Sequence, residues 1–302
     1  MKQTILIHNP TAGSGKHDEK TLVKKIEAAG YEVKYYSTDT PGWERFTRNE
    51  ADVIFLAGGD GTVQKLAAEL LKVGAPIQKT PVQVLPLGTA NNIATTLNLN
   101  LSIKALDELK NIEPFDVGQV EGAGEAGFFI EGLGFGIFPK LLKVMEKKKK
   151  NEGEPEDPDD ELNQSLQELL EIVRNSKACE AIIIADGEEI TGRFLLVELM
   201  NIRFIGPNFE LAPGALTGDG SFELVAVPEK ARKDLESYIQ DLLKKDENIF
   251  LEDFVFSKKV KKVRFKWFGK DMHIDDERID DYKGEEIKVE NKHAAFNFIV
   301  ES

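Results

Sequence analysis

The chain has 302 residues, with 39 Lys and Arg against 53 Asp and Glu, so its formal charge at neutral pH is −14. A balance this acidic excludes general nucleic-acid binding, which needs a basic face, and argues against strong electrostatic adsorption on anionic lipid. Cys179 is the only cysteine, which leaves no disulfide framework or Cys-based metal site and fits a reducing cytosol; no run approaches the ~18 consecutive apolar residues of a membrane span.

Met1-Lys2-Gln3 leads straight into a strand pattern, without signal-peptide features. Thr4 to Ile7 read as a strand, His8 to Lys16 as a turn rich in small residues, and Leu22, Val23 and Ile26 then repeat at helical spacing. The turn is not a P-loop, which needs Gly where Pro10 stands and Ser or Thr where His17 stands. A second unit runs from the buried-strand pattern Val53 to Leu56 through Gly58-Gly59-Asp60-Gly61-Thr62 into a helix marked by Leu66, Ala67, Leu70 and Leu71. Its glycines let another group approach the backbone, and a helix N-terminus suits phosphate. Asp60 is unexpected in a turn that binds only an anion; a nearby metal or hydroxyl explains it, and so does a simple capping role. The third unit is Val82 to Leu85, then Pro86-Leu87-Gly88-Thr89-Ala90-Asn91-Asn92. Three strand ends in a doubly wound sheet can converge on one crevice.

From Phe115 the character changes. Short strand patterns at Gly127 to Ile130, Ala181 to Ala185, Arg193 to Leu199, Ser221 to Val227, Lys262 to Trp267 and Ile287 to Glu290 predict an antiparallel sandwich, with helices at Leu162 to Arg174 and Lys230 to Lys245. Lys140 and Lys143 to Lys150, with Leu141, Leu142, Val144 and Met145 among them, form a basic amphipathic segment that can touch a membrane surface; a solvated helix end is the favoured reading. The acidic, proline-containing stretch Asn151 to Glu161 reads as an exposed loop. Cys179, beside apolar residues, reads as a small core residue, and His8, His17, His273 and His293 lack metal-site spacing.

Asn9-Pro10-Thr11-Ala12-Gly13, Gly58 to Thr62 and Pro86 to Asn91 resemble, in order and spacing, the three nucleotide-site motifs of the diacylglycerol kinase catalytic family. Thr38-Asp39-Thr40-Pro41-Gly42 is similar to its T-x-x-P-G segment, Phe115-Asp116-Val117-Gly118 to its passage into the second domain, Leu211 to Gly220 to its A-P-x-A-x-x-x-D-G stretch, and Ile274-Asp275-Asp276-Glu277 to its I-D-G-E. The resemblance implies an α/β domain with a parallel sheet over 1–113 and 291–302, with a nucleotide site like that of NAD kinase, and a mainly antiparallel β-sandwich over 114–290 for the lipid. It implies ATP and Mg²⁺ as cofactors and a lipid alcohol such as diacylglycerol as acceptor. It also implies cytoplasmic placement, peripheral to the inner face of the membrane, with transient surface contact. Oligomeric state stays open, a homodimer included.

Carried over by motif, nucleotide contacts fall on Asn9, Pro10, Thr11, Ala12, Gly13, Thr38, Gly58, Gly59, Asp60, Gly61, Thr62 and Thr89. Asp60, Thr62 and Thr89 supply side chains to phosphate or a metal-bound water. The proton acceptor falls on Asp275 or Glu277, which at i and i+2 of an extended strand point the same way; without the resemblance, 275–277 reads as a charged hairpin turn. A structural Mg²⁺ site falls on Asp219 with carbonyls near Leu216 and Ser221; the alternative is a turn Asp beside Gly220. Departures are Gln64-Lys65 for the family's Asn and Glu, Asn92 for an Asp, and Asp276 for a Gly. They keep a catalytically weak nucleotide-binding protein as a second reading, and NAD kinase is the enzymatic rival.

Overall fold

The computed structural model describes residues 2–13, 15, 17–101, 103, 111–124, 127–153, 158–244 and 251–300. Ser14 and Lys16 of the first turn, residues 154–157 of the acidic stretch, and the expected helix end at Lys245 lie outside the described residues. The chain forms two compact units, Met1–Phe115 with His293–Ser302, and Asp116–Lys292.

In the first unit, β1 (Lys2–His8), α1 (Glu19–Ala28), β2 (Tyr31–Ser37), β3 (Val53–Gly58), α2 (Asp60–Val73), β4 (Val82–Pro86) and the short α3 (Asn92–Thr96) follow in order. The strands pair in parallel as β2-β1-β3-β4, with Thr4 opposite both Val33 and Val53, and Leu56 opposite Val84. All six residues of β3 are buried, as a central parallel strand covered on both faces requires. Asp18 caps α1 by accepting the Thr21 N–H at 3.0 Å, and α1 turns Leu22 and Ile26 onto a core containing Leu6, Phe55 and Leu85. Each such side chain stabilises the fold by about 1.5–3 kcal/mol. The last apolar run returns here: Phe298 pairs in parallel with Val82 and its ring lies 4.8 Å from that of Phe115.

β5 (Ile112–Glu121) carries the chain into the second unit. There follow β6 (Phe128–Phe129), β7 (Gly132–Gly136), α4 (Ile137–Glu152), α5 (Pro158–Asn175), β8 (Cys179–Ala185), β9 (Glu188–Met200), β10 (Phe204–Ile205) and β11 (Phe209–Glu210). Then come β12 (Phe222–Pro228), α6 (Arg232–Lys244), β13 (Phe256–Val260), β14 (Lys262–Trp267), β15 (Met272–Ile274), β16 (Glu277–Arg278) and β17 (Ile287–Ile299). The pairings β12–β13, β9–β12, β7–β9, β8–β9, β8–β14, β7–β15 and β14–β17 are all antiparallel. One apolar cluster gathers strand residues such as Phe135, Val197, Leu224, Phe265 and Trp267. A second joins Leu141, Leu169, Val173, Leu235 and Ile239 of the helices to Leu195, Met200 and Val225 of the sheet.

The expected loop 151–161 is shorter than its composition suggests, because Asn151 and Glu152 end α4 while Pro158 to Glu161 begin α5. The basic segment is indeed helical, and its apolar face turns inward: Leu141 is buried and Met145 packs on the helical core. Lys148 meets Glu168 of α5 at 2.5 Å.

Candidate active site

The three glycine turns of the first unit touch one another through their backbones. Gly13, at φ +54°, lies so close to the third turn that a Cβ there would stand 2.3 Å from the Leu87 carbonyl oxygen. Gly59 and Gly88 are back to back, and a Cβ on Gly88 would come within 2.5 Å of the Gly59 Cα. Glycine is needed at both because the opposing group is main chain and cannot rotate away. Asn9 links two turns: its Nδ2 donates to Thr62 Oγ1 at 3.3 Å, while its Oδ1 accepts from Thr11 N at 3.2 Å and Thr11 Oγ1 at 2.9 Å. The Thr38 N–H donates to the His8 carbonyl at 2.9 Å, tying the end of β2 to the first turn. Pro10, Thr11 and Ala12 form that turn, Gly61 and Thr62 lie in the first turn of α2, and Thr89 is half-buried after β4. Lys65 is exposed on α2. Gly59, the N-cap residue of α2, has no side chain with which to cap it.

Asp60 has a structural task that its sequence context only partly signals. It is buried, and its two oxygens accept the N–H groups of Asn92 at 2.8 Å and Ile93 at 3.0 Å. The capping role therefore exists, but across turns: Asp60 closes the start of α3. Behind the first turn a chain of hydrogen bonds runs to the Ala12 carbonyl, and with both rings uncharged its donor order starts at Tyr35. Its O–H donates to His8 Nδ1 (3.0 Å), His8 Nε2–H to His17 Nδ1 (2.8 Å) and His17 Nε2–H to the Ala12 carbonyl (2.9 Å). Burial, with His17 adding to it, lowers the His8 pKa to about 4.

In the second unit the I-D-x-E segment is a hairpin, not a continuous strand. Ile274 pairs with Glu277, so Asp275 and Asp276 form a two-residue turn, and Asp275 takes φ +47°. The expectation that Asp275 and Glu277 share one strand face is thereby corrected. Asp275 turns inward and its carboxylate accepts from the backbone N–H groups of Ile130 (3.1 Å), Glu131 (2.8 Å) and Gly132 (3.1 Å). Its own N–H donates to the Gly132 carbonyl at 2.8 Å. Burial outweighs these three donors and pushes its pKa up to about 7. Glu277 is exposed and lines a cavity of about 610 Å³ shared with Leu142, Met145, Gln164 and Arg278.

The Asp219 loop is tied to the same region through residues that motif reading did not rank. Asp116, fully buried, accepts the Gly220 N–H at 2.7 Å. Asn201 Nδ2 donates to the Asp116 carbonyl at 2.9 Å and the Ile130 carbonyl at 2.7 Å. An Asn at the end of an apolar strand was the signal available. Asp219 itself uses Oδ1 to accept from Ser221 N (2.9 Å) and Ser221 Oγ (2.5 Å), and Oδ2 meets the Lys259 ammonium at 2.6 Å. Leu216 is 59% exposed. A divalent cation here would have to displace Lys259 from the one carboxylate, so as folded this donor set does not fit the implied structural magnesium. Among the described residues no three His, Cys, Asp or Glu gather as metal ligands.

The diacylglycerol kinase catalytic domain profile matches residues 3–120. The diacylglycerol kinase of Bacillus subtilis (strain 168) is 31% identical over 240 residues, covering 74% of this chain and 73% of that protein. The chain belongs to the diacylglycerol kinase catalytic family. A further diacylglycerol kinase of that family, from Staphylococcus haemolyticus (strain JCSC1435), is 25% identical over 263 residues, 84% of this chain and 75% of that protein. A crystal structure of a diacylglycerol kinase from Bacillus anthracis str. Sterne superposes with a TM-score of 0.68 at 19% identity, over 99% of this chain and 97% of that one. The last likeness shows the fold: an α/β unit with parallel strands and a mainly antiparallel second unit, as the motifs imply.

Proposed function

We propose that the chain is an ATP-dependent lipid kinase that moves the γ-phosphoryl group of ATP to the hydroxyl of a neutral lipid alcohol of the diacylglycerol type. In this reading the N-terminus of α2, with Gly59 at its cap, and the surrounding turns receive the nucleotide phosphates. Bound together with the nucleotide, Mg²⁺ would supply the positive charge that offsets the phosphates. Glu277 takes the hydroxyl proton as the new O–P bond forms and the bond from the γ-phosphorus to the bridging oxygen breaks, releasing ADP. Asp275 is the anchor that presents Glu277, because both its oxygens are engaged by main chain. The observation that carries this assignment is the contrast within the motif: Asp275 is buried and held by three N–H groups, whereas Glu277 is exposed at the rim of the 610 Å³ cavity.

The test is ATP- and Mg²⁺-dependent phosphate transfer to dispersed diacylglycerols, ceramides and sphingoid bases, with NAD included, run beside Glu277→Gln. A proton acceptor is worth about 10²–10⁴ in rate, so a loss of at least ~10²-fold in a folded Glu277→Gln protein is expected. Full activity in that variant removes Glu277 from the role. Nucleotide binding without transfer to any acceptor leaves the weak nucleotide-binding reading, motivated by Lys65 and Asn92, in its place.

A further inference from the structure

Glu198 and His273 are both buried, at 0% and 1% exposure, and neither belongs to a family motif. They sit two strands apart: Gly134 of β7 pairs with Glu198 on β9 on one side and with His273 on β15 on the other. Side chains across a middle strand meet only if nothing stands between them, and here nothing does. A Cβ on Gly134 would fall 1.7 Å from Glu198 Oε2. Over that gap His273 Nε2 and Glu198 Oε2 approach to 2.9 Å, while His273 Nδ1 lies 2.7 Å from the Asp275 carbonyl oxygen.

A carbonyl only accepts, so Nδ1 carries a hydrogen. The Nε2–Oε2 contact then holds one shared proton. Without it two lone pairs would face each other in the interior; with a second, a net positive charge would be buried. The pair is therefore neutral overall and keeps its proton. Burial raises the Glu198 pKa, and the Glu198 carboxylate raises that of His273 against burial. Opposite Glu198 on its other flank is apolar Val225; the charged groups nearby are Asp275 and Asp276 of the turn.

We propose that Glu198 and His273 are positioning residues that hold the Asp275 turn in its left-handed conformation, and through it the carboxylate of Glu277. Their catalytic consequence rests on the lipid-kinase reading; their hold on the turn does not. A left-handed Asp is strained unless its surroundings fix it, and the His273 hydrogen bond to its carbonyl is a fixing contact beside those from the Ile130–Gly132 backbone.

The test uses the full chain with His273→Leu and Glu198→Gln, reading transfer from ATP to dispersed diacylglycerol and hydrogen exchange at the Gly132 and Asp275 amides. Folded His273→Leu is expected to lose at least ~10-fold in kcat with the KM for ATP unchanged, and to exchange those two amides faster than wild type. Glu198→Gln, whose amide N–H can donate to Nε2, is expected to keep kcat within about threefold, because the support needs a hydrogen bond and not a charge. If His273→Leu does not fold, His273→Gln takes its place with the same readouts. Unchanged kcat and unchanged exchange in the folded His273 variant overturn the proposal, as does a Glu198→Gln protein as impaired as His273→Leu. If the wild-type chain phosphorylates no lipid, the lipid-kinase reading fails, and amide exchange alone decides the positioning role.

Discussion

Two carboxylates illustrate how far environment separates identical chemistry. Asp60 is held by two N–H groups from another turn. Hydrogen bonds to a charged group are worth about 1.5–3 kcal/mol each in context, and removing their acceptor leaves buried donors unsatisfied. Asp60→Ala is expected to lower unfolding stability by about 2–4 kcal/mol in urea titrations; a smaller change than about 0.5 kcal/mol would show that the cap contributes little. Asp275 differs because burial dominates. Its folded pKa, about 7, lies above the ordinary 3.8, so between those values the folded state binds more protons than the unfolded state. Its contribution to stability is therefore present below about pH 4 and is lost as pH rises towards 7. His8, lowered to about 4, acts with the opposite sign, its contribution being lost as pH falls from 6.5. The Asp275 part is isolated by comparing wild type with Asp275→Asn: the variant should lack the decline between pH 4 and 7, and parallel profiles would contradict the assignment. None of this was visible in the letters I-D-D-E, since the roles of Asp275 and Glu277 depend on a two-residue turn that sends one inward and leaves the other out.

At the scale of elements, the strand-turn-helix units of the first half were legible because apolar runs, glycines and helical spacing agree there. The second half was legible in part. Lys262 to Trp267 alternates and was read at its observed bounds, whereas β7, Gly132-Leu133-Gly134-Phe135-Gly136, was not, because glycine weakens any strand signal. The same glycines allow Glu198 and His273 to meet, a contact that depends on register across three strands. Register also places Lys259 of β13 opposite Glu223 of β12, within reach of Asp219. Lys259 supplies there the positive charge that the family resemblance assigned to magnesium. Wild-type melting temperature is accordingly expected to be the same in EDTA and in millimolar Mg²⁺. Lys259→Met should acquire an Mg²⁺-dependent rise that disappears when Asp219→Asn is added. A rise already present in wild type and abolished by Asp219→Asn would show that the cation displaces the lysine.

For the molecule as a whole, the first unit draws on both ends of the chain. Besides the Phe298 pairing, Gln78 Nε2 donates to the Ala295 carbonyl at 3.1 Å and Asn297 Nδ2 to the Lys79 carbonyl at 3.0 Å. A chain ending at Lys292 would lose these bonds and expose Val82 and Phe115. It is expected to lose nucleotide binding while the amides of β8, β9 and β12 stay protected from exchange; retained affinity for ATP would show the last strand to be dispensable. Among the described residues no helix is long and apolar enough to cross a membrane. The return of the chain also bears on synthesis. Domains tend to fold as they leave the ribosome, the N-terminal one first. Here that order is inverted: residues 116–292 are complete while the sheet begun by Lys2 still lacks its partner for β4. The four strands of that sheet must wait, with the edge of β4 exposed, for the strand that carries Phe298 to be translated.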